Sequence, residues 1–253
     1  MSKKITKDDL KQDQIQTELQ KGFRWTANHF KIVLAGVGAF LALGLGYSGL
    51  QFYKSTQEAR TQEAFYALEK SLIEAKKKLT DAQAKDKTLK GDFEKDFSAV
   101  AQELKAFATT NADRKSGRMA AILLVDLYRE YQKADLALEV LNSIEKELDK
   151  NEILSGLLHL QWGSVLADQN QCGPALEKWE VVTTQKRLSF THGETKLRMA
   201  LCHQALGQLE KAETLLSEVS KKQETDNDFA AAQDAEKYLK YIRAQKNLLG
   251  SDS

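Results

Sequence analysis

Proline is almost missing from this chain: Pro174 stands alone among 253 residues. Inside a helix a proline removes a hydrogen bond and clashes with the preceding turn, so nearly the whole chain is free to be helical. Ala, Leu, Lys, Glu and Gln dominate instead, and the fold class expected is all-α. An excess of charge is missing too. Lys plus Arg number 37 against 36 for Asp plus Glu, a net charge of +1. No sustained positive field is available to hold a phosphate backbone, and nucleic acid is not an expected partner. Cysteine is limited to Cys172 and Cys202, which fit neither a zinc pattern nor a CxxC redox pair and are too few for a disulfide framework. Two readings stay open: a pair of small buried hydrophobes, or a single disulfide, which requires an oxidising compartment.

Motifs that carry chemistry are equally scarce. The four histidines, His29, His159, His192 and His203, have no HExxH or other metal-ligand spacing. Cys202 and His203, as neighbours on a helix, project about 100° apart and are poorly placed to share a metal. No nucleophile elbow, phosphate loop or dinucleotide fingerprint occurs, and Gly36-Val37-Gly38 lies inside an apolar run. Asp126 and Glu130 share a helix face, as carboxylates on a solvated helix commonly do. The expectation is a protein that is not an enzyme, with no cofactor, no metal and no small-molecule substrate.

One long hydrophobic run is present. Ile32 to Tyr53 are 22 consecutive uncharged residues, which as a helix at about 1.5 Å per residue match the thickness of a hydrocarbon core. Phe23, Trp25 and Phe30 on one side and Tyr47, Phe52 and Tyr53 on the other suit the headgroup level. A cleaved signal peptide fits less well, because about 30 residues precede the run, including Lys3, Lys4, Asp8 and Asp9. A buried core helix with five glycines (Gly36, Gly38, Gly44, Gly46, Gly49) and no charge is less apt still. Residues 1–31 carry seven Lys/Arg against four Asp/Glu, and the rest of the chain 30 against 32, so the tail is expected to stay cytoplasmic. Gly38, Ala42 and Gly46, at four-residue spacing, form a candidate docking stripe for another membrane helix.

The remainder reads as a repeat array. Residues 55–80 keep apolar groups at helical spacing (Ala64, Phe65, Ala67, Leu68, Leu72, Ile73), and the polar stretch Asp81 to Asp92 reads as a loop. The tetratricopeptide (TPR) template then fits three times. Leu124-Val125, Tyr128, Ala137 and Leu141 form one copy. Trp162-Gly163, Leu166, Ala175 and Trp179 form the next, and Met199-Ala200, His203, Ala212 and Leu216 the third. The small residues Ala137, Ala175 and Ala212 fall 38 and 37 residues apart, against about 34 in the standard repeat, so the connections between repeats are longer. Asn170 to Pro174 and Gly207-Gln208 mark hairpin turns. Residues 93–109 complete a degenerate first repeat, and a helix near Asp226 to Leu249 closes the stack, with Asp234, Glu236, Lys237, Lys240 and Arg243 on its polar face. The organisation expected is a tail (1–31), a transmembrane helix (32–53), a TPR-like α-solenoid of three to four hairpins plus a capping helix (54–249) and a disordered end (250–253).

In that register the first helix of each pair lines a groove with Met119, Ile122, Leu157, Leu160, Leu197 and Leu201, with Asp126, Arg129 and Asp168 beside them. The Lys/Asn pair that clamps a terminal carboxylate in some TPR domains is missing, so apolar or helical partner segments are the expected ligands. The alternative is that several of these leucines are simply core.

A short tail, one N-terminal span and a degenerate TPR domain resemble the ancillary SecYEG translocon subunit family of Gram-negative inner membranes. The better-matching residues run from Arg118 through Leu123, Tyr128, Leu136-Ala137 and Leu141. The Lys-rich loop at 81–92 and the Trp162/Trp179 pair depart from that family's pattern. The resemblance implies a single-pass inner-membrane protein with a periplasmic domain, whose partners are the translocon and periplasmic chaperones or exported chains. A self-assembling cell-envelope organiser unrelated to secretion is the alternative.

Overall fold

The structure is a computed structural model and describes residues 29–149, 151–221 and 226–250. The expected tail lies almost entirely outside the described residues, as do the last three residues of the expected disordered end. Among the described residues every regular element is a helix: α1 (Phe30–Lys85), α2 (Phe93–Asp96), α3 (Ser98–Thr110), α4 (Lys115–Glu130), α5 (Ala134–Ile144), α6 (Ile153–Asp168), α7 (Cys172–Thr183), α8 (His192–Ala205), α9 (Leu209–Ser220) and α10 (Asp226–Gly250). Compactness divides the chain into two units, Met1–Gln57 and Glu58–Ser253.

In the first unit α1 is the one described helix long and apolar enough to cross a membrane. Its large apolar side chains, Phe40, Leu43, Leu45 and Phe52 among them, are exposed.

In the second unit the part of α1 from Glu58 becomes amphipathic. Phe65 and Leu72 are buried and Leu68, Ala75 and Leu79 pack on the same core, a stripe at steps of three and four. Ala64, Ala67 and Ile73, expected on that stripe, are exposed. The helix also outlasts the expected break at Asp81 and runs to Lys85, because the segment from Asp81 to Lys85 holds neither Gly nor Pro. The loop is therefore residues 86–92. Beyond it, the single helix expected at 93–109 is split at Phe97 into α2 and α3, with Asp92 Oδ1 capping α2 through the Glu94 and Lys95 amides.

The hairpins α4/α5, α6/α7 and α8/α9 repeat one turn. Gln132, Asn170 and Gly207 have φ of 56°, 60° and 74°. In each case the following amide closes a six-residue loop: Lys133 bonds to the Tyr128 carbonyl at 2.7 Å, Gln171 to Leu166 at 2.8 Å and Gln208 to His203 at 2.8 Å. The left-handed residue's own amide bonds to Arg129, Ala167 and Gln204 respectively. These are Schellman closures, which satisfy the last carbonyls of the first helix and reverse the chain at once. Tyr128, Leu166 and His203 are the residues expected at one repeat position, so the turns confirm the register by backbone geometry.

Between hairpins the extra length takes the form of 3-10 segments, Glu145–Glu147 and Lys186–Thr191. Ala137, Ala175 and Ala212 are fully buried. Within the second hairpin the helices also meet closely at Gly163: a Cβ there would meet the Trp179 ring at 2.4–2.7 Å. The Trp179 indole N–H meanwhile donates to the Leu160 carbonyl at 3.1 Å, so the ring is pinned and has no room to retreat. The fold is a TPR-like α-solenoid, closed by α10, which extends through Gly250 and takes that residue out of the expected disordered end.

The turns and the close contact can each be tested by stability. Gly207→Ala forces an L side chain into the left-handed region and lowers stability by about 1–2 kcal/mol, whereas Gln132→Gly relieves the same strain at an exposed site and raises it by up to about 1 kcal/mol. Chemical denaturation measures both, and equal effects of the same sign would contradict the turn geometry. Gly163→Ala drives a methyl into a pinned indole and lowers stability by about 1–3 kcal/mol, read as an earlier denaturation midpoint. A neutral result would mean that Trp179 is free to move.

Candidate protein-interaction surface

The first helices of successive hairpins, α4, α6 and α8, lie side by side, and α10 follows α8 in the same register. Adding the repeat length to Leu201 and Gln204 reaches Tyr238 and Tyr241. The structure brings three of these residues together, leaving out Leu201: a recess of about 620 Å³ is lined by Gln204, Asp234, Lys237, Tyr238 and Tyr241. Tyr241 is 60 % exposed and Tyr238 39 %. These two tyrosines were missed in the sequence reading, which stopped the groove at the third copy and assigned the last helix only a polar cap. The signal was the 37-residue step, carried one repeat further.

The residues proposed from sequence are distributed more deeply. Leu197 is buried in the second core cluster. Ile122 and Leu160 are half-buried and pack against the first cluster. Leu157 and Leu201 are half-buried, and Met119 is 39 % exposed at the opposite end from the tyrosines.

Between these positions runs a ladder of polar contacts. Lys76 pairs with Glu130 at 2.7 Å, joining α1 to α4. Gln161 Nε2 donates to Asp126 Oδ1 at 2.5 Å, and Arg129 pairs with Asp168 at 3.2 Å, both joining α4 to α6. Arg198 donates to Ser164 Oγ at 3.1 Å, joining α6 to α8, and pairs within α8 with Glu194 at 2.8 Å. Gln204 Nε2 donates to Gln245 Oε1 at 3.3 Å, joining α8 to α10. Asp126, Arg129 and Asp168 thus hold neighbouring repeats in register. Desolvation against α6 pushes the Asp126 carboxyl above its ordinary range, although Arg129, the Gln161 amide and Lys76 all pull it down.

Two further features bear on the site. Cys172 and Cys202 form a disulfide, with Cα atoms 5.1 Å apart, joining the start of α7 to α8. This resolves the two open readings in favour of the bridge. In the first unit Gly38, Ala42 and Gly46 are exposed, and a Cβ on either glycine would meet nothing within 4 Å. Among the described residues, no group of three or more His, Cys, Asp or Glu is gathered so as to hold a metal.

No protein-family model and no curated protein sequence matches the chain. Among solved structures, it is similar to a putative kinesin light chain with nearly identical TPR-like repeats from Podosopora anserina. The identity is 16 %, over 71 % of this chain and 96 % of that one, with a TM-score of 0.48. A form of the same protein carrying one substitution gives 16 %, 72 % and 96 %, with a TM-score of 0.49. A helical-hairpin array offers a continuous surface of the kind that protein partners occupy.

Asp126 supplies a pH-dependent test of the ladder. Its raised folded pKa means that the ionised carboxylate is disfavoured by folding. That penalty is fully present above the raised value and disappears as pH falls below the ordinary carboxylate range. Asp126→Asn, whose side-chain oxygen still accepts from Gln161, should raise the denaturation midpoint near pH 7 and leave it unchanged near pH 3. An equal gain at both pH values would assign the effect to something other than titration.

Proposed function

We propose that the chain is a non-enzymatic scaffold, anchored by one transmembrane helix, that holds protein partners beside a membrane through the face that α4, α6, α8 and α10 form in its TPR-like domain. The observation that carries this reading is the open aromatic end of that face, Tyr238 and Tyr241, beside charged groups that pair with one another, as Lys237 does with Asp234. Large amphipathic rings left exposed beside satisfied polar groups are the kind of anchor that protein partners bury. The resemblance to the ancillary SecYEG translocon subunits gives the partners a more definite form: the translocon, periplasmic chaperones and exported chains. The N-terminus is then cytoplasmic and the large domain periplasmic, in a bacterial inner membrane. The disulfide supports this orientation, since such bonds persist in the periplasm and are rare in the cytoplasm.

Photocrosslinking groups placed at Asp234 and Lys237, which line the same recess, test the partners of the full chain in native membranes. Capture of translocon subunits, chaperones or exported chains is the expected result, abolished by Tyr238→Ser with Tyr241→Ser while circular dichroism stays unchanged. Capture of the chain's own copies alone would replace this function with self-assembly, and capture of cytoplasmic proteins alone would overturn the orientation. A membrane-impermeant thiol probe checks the topology separately: a cysteine introduced at Ser251 should react from outside the inner membrane and one at Ser2 should not.

A further inference from the structure

The second unit holds two hydrophobic clusters, and α8 lies on the seam between them. Met199 and Cys202 belong to the first, which extends back through α7, α6 and α4 to Phe65. Leu197 and Ala200 belong to the second, together with Leu209, Ala212, Leu216, Ala235 and Ile242 from α9 and α10. Polar contacts follow the same division. Lys76–Glu130, Lys105–Glu139, Arg118–Glu152, Arg129–Asp168 and Lys178–Glu145 tie together the helices before the seam. Lys196–Glu218, Arg243–Glu213 and Lys246–Glu213 close within α8–α10. Across the seam run the Arg198 to Ser164 bond and the His192 Nε2–H, which donates to the carbonyls of Val182 at 3.1 Å and Gln185 at 3.0 Å. The Cys172–Cys202 disulfide, both of whose residues belong to the first cluster, ties α8 covalently to the start of α7.

We propose that this disulfide is a redox latch that couples the C-terminal segment α8–α10 to the hairpins before it, so that reduction loosens that segment selectively. In a repeat array each unit is stabilised by its neighbours, so the loss of one interface term lowers the stability of the end unit first, while the interior keeps contacts on both sides. The end unit here carries Tyr238 and Tyr241, and reduction would therefore act on the recess that they line.

The chemistry needs a dithiol reductant. One of its thiolates attacks a cystine sulfur and expels the other as a thiolate. Its second thiol then resolves the mixed disulfide, leaving the reductant as a cyclic disulfide and both cysteines as thiols, with two electrons and two protons transferred. Both sulfur-bearing residues are buried, Cys172 at 8 % and Cys202 at 4 % exposure, so the latch holds until the seam opens. Cys172 is nevertheless the first residue of α7, flanked by the exposed Gln171 and Gly173, where opening needs only the hairpin turn to fray. The chain has two cysteines in all, so a thiol reductant acts on this bond alone.

Hydrogen exchange of the full chain in detergent micelles, with and without dithiothreitol, tests the latch without reference to any partner. Reduction should speed exchange in α9 and α10 by about tenfold or more and leave α4 and α6 within about twofold. The Cys172→Ala/Cys202→Ala chain should show the faster pattern with no reductant and no further response to it. Unchanged exchange in α9 and α10 on reduction would overturn the latch, as would equal acceleration in every helix. So would a double variant that keeps the slow, oxidised pattern.

Discussion

Each hairpin closes on a place where a side chain is nearly absent, and the rest of the domain depends on that closeness. At Gly163 the neighbouring helix puts an indole where a methyl group would stand, and Ala175 and Ala212 allow the same approach with no exposed surface left. Once two helices are that close, their remaining large groups have to interdigitate beside the contact, as Trp179, Leu141 and Leu216 do. The pair then presents one ridge to the pair before and another to the pair after. A larger residue at the contact would move the second helix outward and take its seam with the next hairpin along with it.

The face formed by α4, α6, α8 and α10 shows what such packing leaves over. Its charges are spent on each other: Lys76 on Glu130, Arg129 on Asp168, Arg198 on Glu194. Pairs this exposed contribute little to stability, about 0–1 kcal/mol each. The effect of the first two is on register, because each joins specific turns of helices that apolar packing alone would let slide, while Arg198–Glu194 lies within α8. They also remove the free charges that would attract an ionic ligand. What remains available is size and shape, and this is concentrated where the ladder thins out, at Tyr238 and Tyr241.

The sequence revealed backbone-determined features better than surface-determined ones. The helical class, the three small positions at 137, 175 and 212 and the longer inter-repeat connections were legible because periodicity and residue size depend directly on helix geometry. The groove was less so. Leu197 and Leu201 are four residues apart on one helix, yet one is buried and the other half open, a difference set by α9 and α10 on the far side. Periodicity gives the angle of a residue on its helix but not what is packed against that angle. The disulfide was ambiguous for a related reason: 30 residues of separation say nothing about the distance between two adjacent hairpins. The split at Phe97 had no Gly or Pro to announce it.

The three hairpin turns explain how such a fold survives so much change in sequence. Gln, Asn and Gly occupy the same left-handed position, and Tyr, Leu and His occupy the position to which each six-residue closure bonds back. The interaction in each case is between backbone groups, so the side chain is constrained only by what it must not do. Strain at Gln132 is tolerated because the two amide bonds it permits satisfy carbonyls that would otherwise end the helix unpaired. The close contacts are likewise limits on volume, met by Gly or Ala, and the core behind them accepts any apolar residue of fitting shape. A repeat defined by dihedral angles and volumes can therefore lose most of its characteristic residues while each hairpin still closes in the same way.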